Sequence, residues 1–292
     1  AQPQKRLPGK LLWDETGSDL FDRICSSGDY YPTRTEMALL PAVSAEIAPL
    51  IGPGATIVEF GSGASRKIRT LLAALDRPAR FIAIDISGDY LDAAIRRLAR
   101  DYPQIEMIPV CADYSEPVRL PVDLSGGPVL GFFPGTSIGN FTPAEAELFL
   151  GRARATLGPS RFLIGADPNR DADRLRRAYG NADGLMPALH RNLLERLNRE
   201  FDADFDLDNF RHEPRILPDP FRVEAHLVAR EPGCYLLAGT EIRFGAGESI
   251  HTDNSHKYVP DTFRRLAERA GWRPERVWLD RAGLFSLHLF AA

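Results

Sequence analysis

Between residues 56 and 167, short apolar runs alternate with amphipathic stretches, and no other feature restricts the fold as strongly. "TIVEF" (56–60) is short enough for a strand buried on both faces, and it runs into a glycine-rich turn, "GSGAS". "SRKIRTLLAAL" then places apolar residues at helical spacing. The rhythm repeats. "RFIAIDIS" reads as a second buried strand and "SGDYLDAAIRRLARDY" as its helix, with Ser87 as N-cap. "IEMIPVCADY" is a third strand, "PVLGFFPGTSIGNF" holds a fourth, and "RFLIGADP" is a fifth. Before the fifth, "TPAEAELFLGRARATL" is a helix capped by Thr142 with Pro143 at its first position. A helical pattern from Glu36 to Leu50 precedes the whole series. Such alternation predicts a doubly wound parallel sheet with right-handed crossovers. Ligands in these sheets bind beyond the carboxyl ends of the strands. Gly61, Asp85, Asp113, Asn140 and Asp167 each follow a strand end, so topology alone gathers them at one crevice.

The rhythm changes after residue 170. Two helical stretches (171–180 and 184–200) precede "DFDLDNFRHEPRIL", and two strand-like runs follow, "FRVEAHLVAR" and "CYLLAGTEIRFGAG". After residue 259 come a helix ("PDTFRRLAERAG") and two final strands ("ERVWLD", "LFSLHLFAA"). A helix and hairpin appended to a five-stranded parallel sheet is the ending of a class I methyltransferase-type fold. The expected class is therefore α/β, a Rossmann-like sheet with a smaller accessory α+β lobe. Residues 34–168 and 252–292 are assigned to the sheet domain, and 1–33 and 169–251 to the lobe.

Composition narrows the function. The net charge is -4 with basic residues spread along the chain, which speaks against a nucleic-acid partner. No apolar run reaches the roughly 18 residues that span a bilayer, and nothing resembles a signal peptide, so a cytoplasmic monomer is expected. The three cysteines are far apart and form no CxxC, which indicates neither a disulfide framework nor a zinc site. His251 and His256 in "HTDNSHKY" lack a third ligand at zinc spacing, so no metal is assigned. His212, His226 and His288 are assigned to ordinary hydrogen bonds, Cys111 to a small buried position and Tyr31 to the core. "DFDLD" (204–208) lacks the glycine and terminal glutamate of a calcium loop and reads as a turn.

"EFGSGAS" places Gly61 and Gly63 directly after a strand and before a helix. Glycine lets backbone approach a ligand and takes positive φ without strain. A dinucleotide fingerprint would need a third glycine where Arg66 stands. Asp85 at the end of the next strand can bind ribose hydroxyls, and Asp113 after the third can accept the exocyclic amine of adenine. An adenosine with a sulfonium amino-acid tail suits these parts better than a pyrophosphate does.

The segments "DETGSDLFDRICSSGDYYPTRTE", "EFGSGASRKIRTLL", "DISGDYLDAA", "FFPGTSIGNF", "LNREFDADFDLDNFRH" and "ESIHTDNSHKY" resemble the histidine Nα-methyltransferases of ergothioneine biosynthesis, over about residues 10 to 290. These enzymes use S-adenosylmethionine to convert histidine to its trimethylated betaine. The resemblance implies that Gly61, Ser62, Gly63, Lys67, Asp85, Ile86, Asp113 and Tyr114 contact the cofactor. It implies that Tyr30, Asn140 and Tyr179 hold the amino acid, with Asn140 and Tyr30 orienting its amine. Thr252-Asp253-Asn254-Ser255 stands where the family's Thr-Glu-x-Ser grips the imidazole. Three positions depart from the family: Trp13 for a tyrosine, Asp253 for a glutamate and Ala225 for a methionine. All three fall among the implied substrate residues, while the cofactor loop is intact. Alternatives therefore stand beside histidine: the same chemistry on another aromatic or modified amino acid, a non-catalytic relative that binds S-adenosylmethionine or a metabolite, or an NAD-dependent enzyme on a similar sheet.

Overall fold

The computed structural model describes residues 4–63, 66–180 and 183–292. In chain order the elements are β1 (Lys5–Arg6), α1 (Glu15–Ser26), α2 (Tyr31–Ile51), β2 (Thr56–Phe60), α3 (Arg66–Ala74), β3 (Arg80–Asp85), α4 (Gly88–Asp101), β4 (Glu106–Cys111), β5 (Val129–Phe133), α5 (Pro143–Leu157), β6 (Arg161–Ala166), α6 (Ala172–Gly180) and α7 (Leu185–Glu200). There follow β7 (Phe210–Pro218), β8 (Phe221–Ala229), β9 (Gly233–Leu237), β10 (Thr240–Phe244), β11 (Ser249–His256), α8 (Pro260–Arg269), β12 (Arg273–Leu279) and β13 (Ser286–Ala291). No helix among the described residues is long and apolar enough to cross a membrane.

The chain divides into two compact units, here the lobe (1–31 and 170–256) and the sheet unit (32–169 and 257–292). Residues 252–256, expected with the sheet unit, lie in the lobe because β11 is a continuous strand paired with β8.

The sheet unit is a mixed α/β fold with a seven-stranded sheet, order β12-β13-β6-β5-β2-β3-β4. β6, β5, β2, β3 and β4 run parallel; β13 is antiparallel to β6, and β12 to β13. Successive side chains point to opposite faces, so each central strand feeds two cores. Ile57, Phe81, Leu130, Leu163 and Leu287 pack with the apolar stripes of α2, α3 and α4. Val58, Ile82, Phe133, Phe162 and Phe290 pack with α5 and α8. Burial on both faces explains the unbroken apolar runs of the strands. Cys111, expected to be buried, is exposed because β4 is the edge of the sheet. α5 opens with a reciprocal capping box: Thr142 accepts from the Glu145 amide, and the Glu145 carboxylate accepts from the Thr142 amide. Ser87 occupies the cap position of α4 without a side-chain cap bond; its amide donates to Asp85.

The lobe holds a four-stranded sheet, order β1-β11-β8-β7, the hairpin β9–β10, and helices α1, α6 and α7. "CYLLAGTEIRFGAG", expected as one strand, is the hairpin: the chain reverses at Ala238 and Gly239, both at positive φ. β7, in a stretch to which the sequence reading assigned no element, is a nine-residue strand paired along β8. α1 is capped by Asp14, whose carboxylate accepts from the Gly17 amide at 2.8 Å. Gly17 has no substitute there, since a Cβ would stand 1.7 Å from the carbonyl oxygen of Leu12.

Candidate active site

In the sheet unit the loop after β2 is built around Asp85. Gly61 and Ser62 donate their amides to the Ile84 carbonyl, at 2.8 and 3.2 Å. The Gly63 amide reaches one Asp85 carboxylate oxygen and the Ser87 amide the other, each at 3.0 Å. The carboxylate is thus held rigidly just past the end of β3, with lone pairs left for further donors. Gly61 and Gly63 both sit at positive φ, and among the described residues nothing lies within 4 Å of where a Cβ of Gly63 would be. This leaves an open cradle at which backbone can meet a ligand. The Tyr114 ring closes one side, against Gly61 and in edge contact with Phe133 and Phe149. Asp113 is fixed by Ser115, whose amide and hydroxyl both donate to it. Ile86 follows Asp85, and its carbonyl lies 3.7 Å from the Cys111 sulfur. Asn140 ends the short 3-10 turn Ser137–Asn140 that follows β5; the helix cap beyond it is Thr142.

Two acids, Glu59 and Glu36, were not singled out in the sequence. Glu59 is buried and accepts from the Ser62 hydroxyl at 2.7 Å. Burial pushes its carboxyl up to about 8, against the lowering pull of that hydrogen bond and of Lys67. Glu36, fully buried, accepts from the Gly135 amide and pairs with Lys67 at 2.6 Å. Lys67, implied as a cofactor contact, gives Glu36 one of its ammonium's three donors. Asp167 pairs with the buried Lys257 at 2.6 Å and accepts from the Asn169 amide.

In the lobe, Trp13, Tyr30, Tyr179 and Ser255 of the implied substrate residues fall on one string of contacts. Trp13 meets Phe21 edge-on at 5.2 Å, Phe21 meets Tyr30 at 6.0 Å, and Tyr30 meets Tyr179 at 5.9 Å. The Ser255 hydroxyl donates to the Tyr179 hydroxyl at 3.0 Å. Asp253 lies directly across the strand pair from Ala225. Its carboxylate packs over Gly9, where a Cβ would come within 3.1 Å of Oδ1. Phe21 and Gly9 were not singled out in the sequence; Phe21 could have been found by its helical spacing from the Asp14 cap. Tyr30 and Tyr31 are both buried, and only Tyr30 forms part of this string.

The lobe's histidines are held inside. His226 bonds Glu224 at 2.9 Å and Ser249 at 3.2 Å. His212 has the Gly180 backbone as a hydrogen-bond partner and stacks face to face on His190, centroids 4.7 Å apart. Burial pushes His212 down to about 4 and His190 well below its ordinary value. Among the described residues no group of histidine, cysteine and acidic side chains could hold a metal ion.

The family described as histidine-specific, S-adenosylmethionine-dependent methyltransferase matches residues 1–292. Histidine N-alpha-methyltransferase of Mycolicibacterium smegmatis is 41% identical over 292 residues, covering 98% of this chain and 90% of that protein. The enzyme of the same name from Mycobacterium tuberculosis is 38% identical with the same coverage. Among solved structures, a putative methyltransferase from Thermobifida fusca matches with a TM-score of 0.53 over 99% of this chain and 95% of that one. At 12% identity it bears on the fold alone.

Proposed function

As a member of the histidine-specific, S-adenosylmethionine-dependent methyltransferases, the chain is an N-methyltransferase, and we propose that it methylates the α-amine of free histidine up to the trimethylated betaine. The observation that carries this is the family match itself, which spans the cradle around Asp85 and the aromatic string around Tyr30 alike.

When bound, S-adenosylmethionine supplies an electrophilic methyl carbon on a sulfonium. Asp85 accepts from ribose hydroxyls, Asp113 from the adenine amine, and Gly61, Ser62 and Gly63 bring backbone to the amino-acid tail, with Ile86 and Tyr114 beside the nucleoside. We assign Lys67 to holding Glu36, and through it Gly135. On the substrate side, Ser255 accepts from the imidazole N–H, and the Asp253 carboxylate faces the ring one methylene short of the family's glutamate. Tyr179 donates to the carboxylate. The family resemblance assigns the orienting of the amine for in-line attack to Tyr30 and to Asn140. Such positioning supplies several kcal/mol of the rate enhancement. No strong base is required, because a small fraction of a free α-amine is neutral at physiological pH and is replenished by proton exchange as it reacts. Trp13, Phe21 and Tyr30 offer ring faces to the growing ammonium, each contact worth roughly 0.5–2 kcal/mol. Both reactants are cytoplasmic metabolites, and the reading places the enzyme there.

One observation favours a second substrate. Ala225 and Asp253 are direct partners across the β8–β11 pair, so two of the three departures widen the same spot. A larger aromatic or modified amino acid gains from that space. Comparing kcat/KM for histidine, tryptophan, tyrosine and phenylalanine decides between them. Histidine is expected to lead; a larger amino acid in front would transfer the assignment to it.

A further inference from the structure

β11 does not keep a plain two-residue alternation. His251 pairs with His226 and Asp253 with Ala225, adjacent positions on β8, so Thr252 is the extra residue of a β-bulge. The consequence is a change of face. Ser249 and His251 lie on the His226 side of the sheet, where Ser249 Oγ is 3.2 Å from His226 Nδ1. Without the bulge, Asp253 and Ser255 would continue on that side. With it they share the Ala225 and Val223 face, and Ser255 reaches Tyr179.

The bulge residue is pinned from within. Thr252 is fully buried, and its hydroxyl donates to the Ala225 carbonyl at 3.1 Å. A hydroxyl carries a single proton. The second contact, His190 Nδ1 at 2.9 Å, must therefore be one that Thr252 accepts. That requires the neutral His190 tautomer protonated on Nδ1. His190 is itself held flat against His212 and is buried on α7.

We propose that His190 is a positioning residue: its Nδ1–H grips the Thr252 hydroxyl, locks the bulge, and so fixes Asp253 and Ser255 on the face that carries Tyr179. This rests on the substrate role given to Asp253 and Ser255. Three variants of the full chain and one spectrum test it. His190→Phe keeps a ring and removes the donor; KM for histidine should rise about tenfold, the size of one lost buried hydrogen bond. KM for S-adenosylmethionine should stay within about twofold, because the cofactor residues lie on other elements. His190→Asn, whose amide can stand in for Nδ1–H, should restore most of the loss. Nitrogen-15 NMR of the imidazoles in the native protein should find His190 neutral and protonated on Nδ1. Ser255→Ala serves as the reference for the substrate reading. If Ser255→Ala raises KM for histidine and His190→Phe does not, the lock is wrong. An Nε2–H tautomer overturns it directly, including the case in which His190→Phe fails to fold. If Ser255→Ala leaves KM unchanged, the substrate reading falls, and the tautomer decides the lock by itself.

Discussion

Asp253 is one methylene shorter than the glutamate its family resemblance leads one to expect, and it faces an alanine across the strand pair. Asp253→Glu returns the carboxylate reach. If histidine is the substrate, KM for histidine should fall by about tenfold, the size of one charge-assisted hydrogen bond; initial rates across histidine concentrations check this, and a rise would mean that the shorter acid is already in contact. Gly17 offers a structural counterpart. A Cβ there would overlap the Leu12 carbonyl, so Gly17→Ala should cost at least the 1–3 kcal/mol typical of overpacking and weaken the Asp14 cap as well. Urea denaturation reads this as a lower midpoint. The residue scale also marks where sequence alone runs out. Asp85 and Tyr30 stood in motifs, and Tyr179 could be named through the family resemblance. The structural roles of Glu36, Glu59, His190 and Thr252 could not be read, because each depends on burial against a partner, and burial of a polar side chain leaves no periodic trace.

Among the elements, the strands of the large sheet were legible because both their faces are apolar, and α5 because its capping box is local chemistry. β11 was not. Its residues are polar, and the bulge at Thr252 breaks the alternation by which a strand is recognised. The β9–β10 turn was hidden for a different reason: Ala238 occupies a positive φ that usually advertises itself with glycine or asparagine. Relieving that strain makes a prediction. Ala238→Gly should raise stability by roughly 0.5–1 kcal/mol, since the αL cost exceeds the added chain entropy of glycine. Differential scanning calorimetry would register a small upward shift in Tm, and a downward shift would mean the turn is relaxed as it stands.

For the molecule as a whole, the parallel central sheet followed from the alternation of strands and helices, while the division at Asn169 and His256 depended on strand pairing that the sequence does not display. Stability should vary with pH at both ends. Burial lowers His212 to about 4 and His288 to about 3. Unfolded, these side chains titrate near 6.5, so the unfolded chain binds more protons between 6.5 and those values. Stability is therefore lost as pH falls through that window, at up to about 1.4 kcal/mol per pH unit per histidine. Glu59 acts in the opposite sense. Raised by burial to about 8, it keeps its proton where the unfolded chain has released it, so folding loses stability as pH climbs from about 4.5 to 8. Glu59→Gln mimics the protonated acid and should remove that loss. Denaturation midpoints for the variant and the native protein should coincide near pH 4 and separate in favour of the variant by pH 8.

The central claim is a reaction, and product mass tests it most directly. The purified protein is incubated with S-adenosylmethionine and histidine, and fragmentation mass spectrometry follows the product. The account predicts successive gains of one, two and three methyl groups, all located on the α-nitrogen. Methyl groups on the imidazole ring, or unmodified histidine under conditions in which another amino acid is methylated, would contradict it.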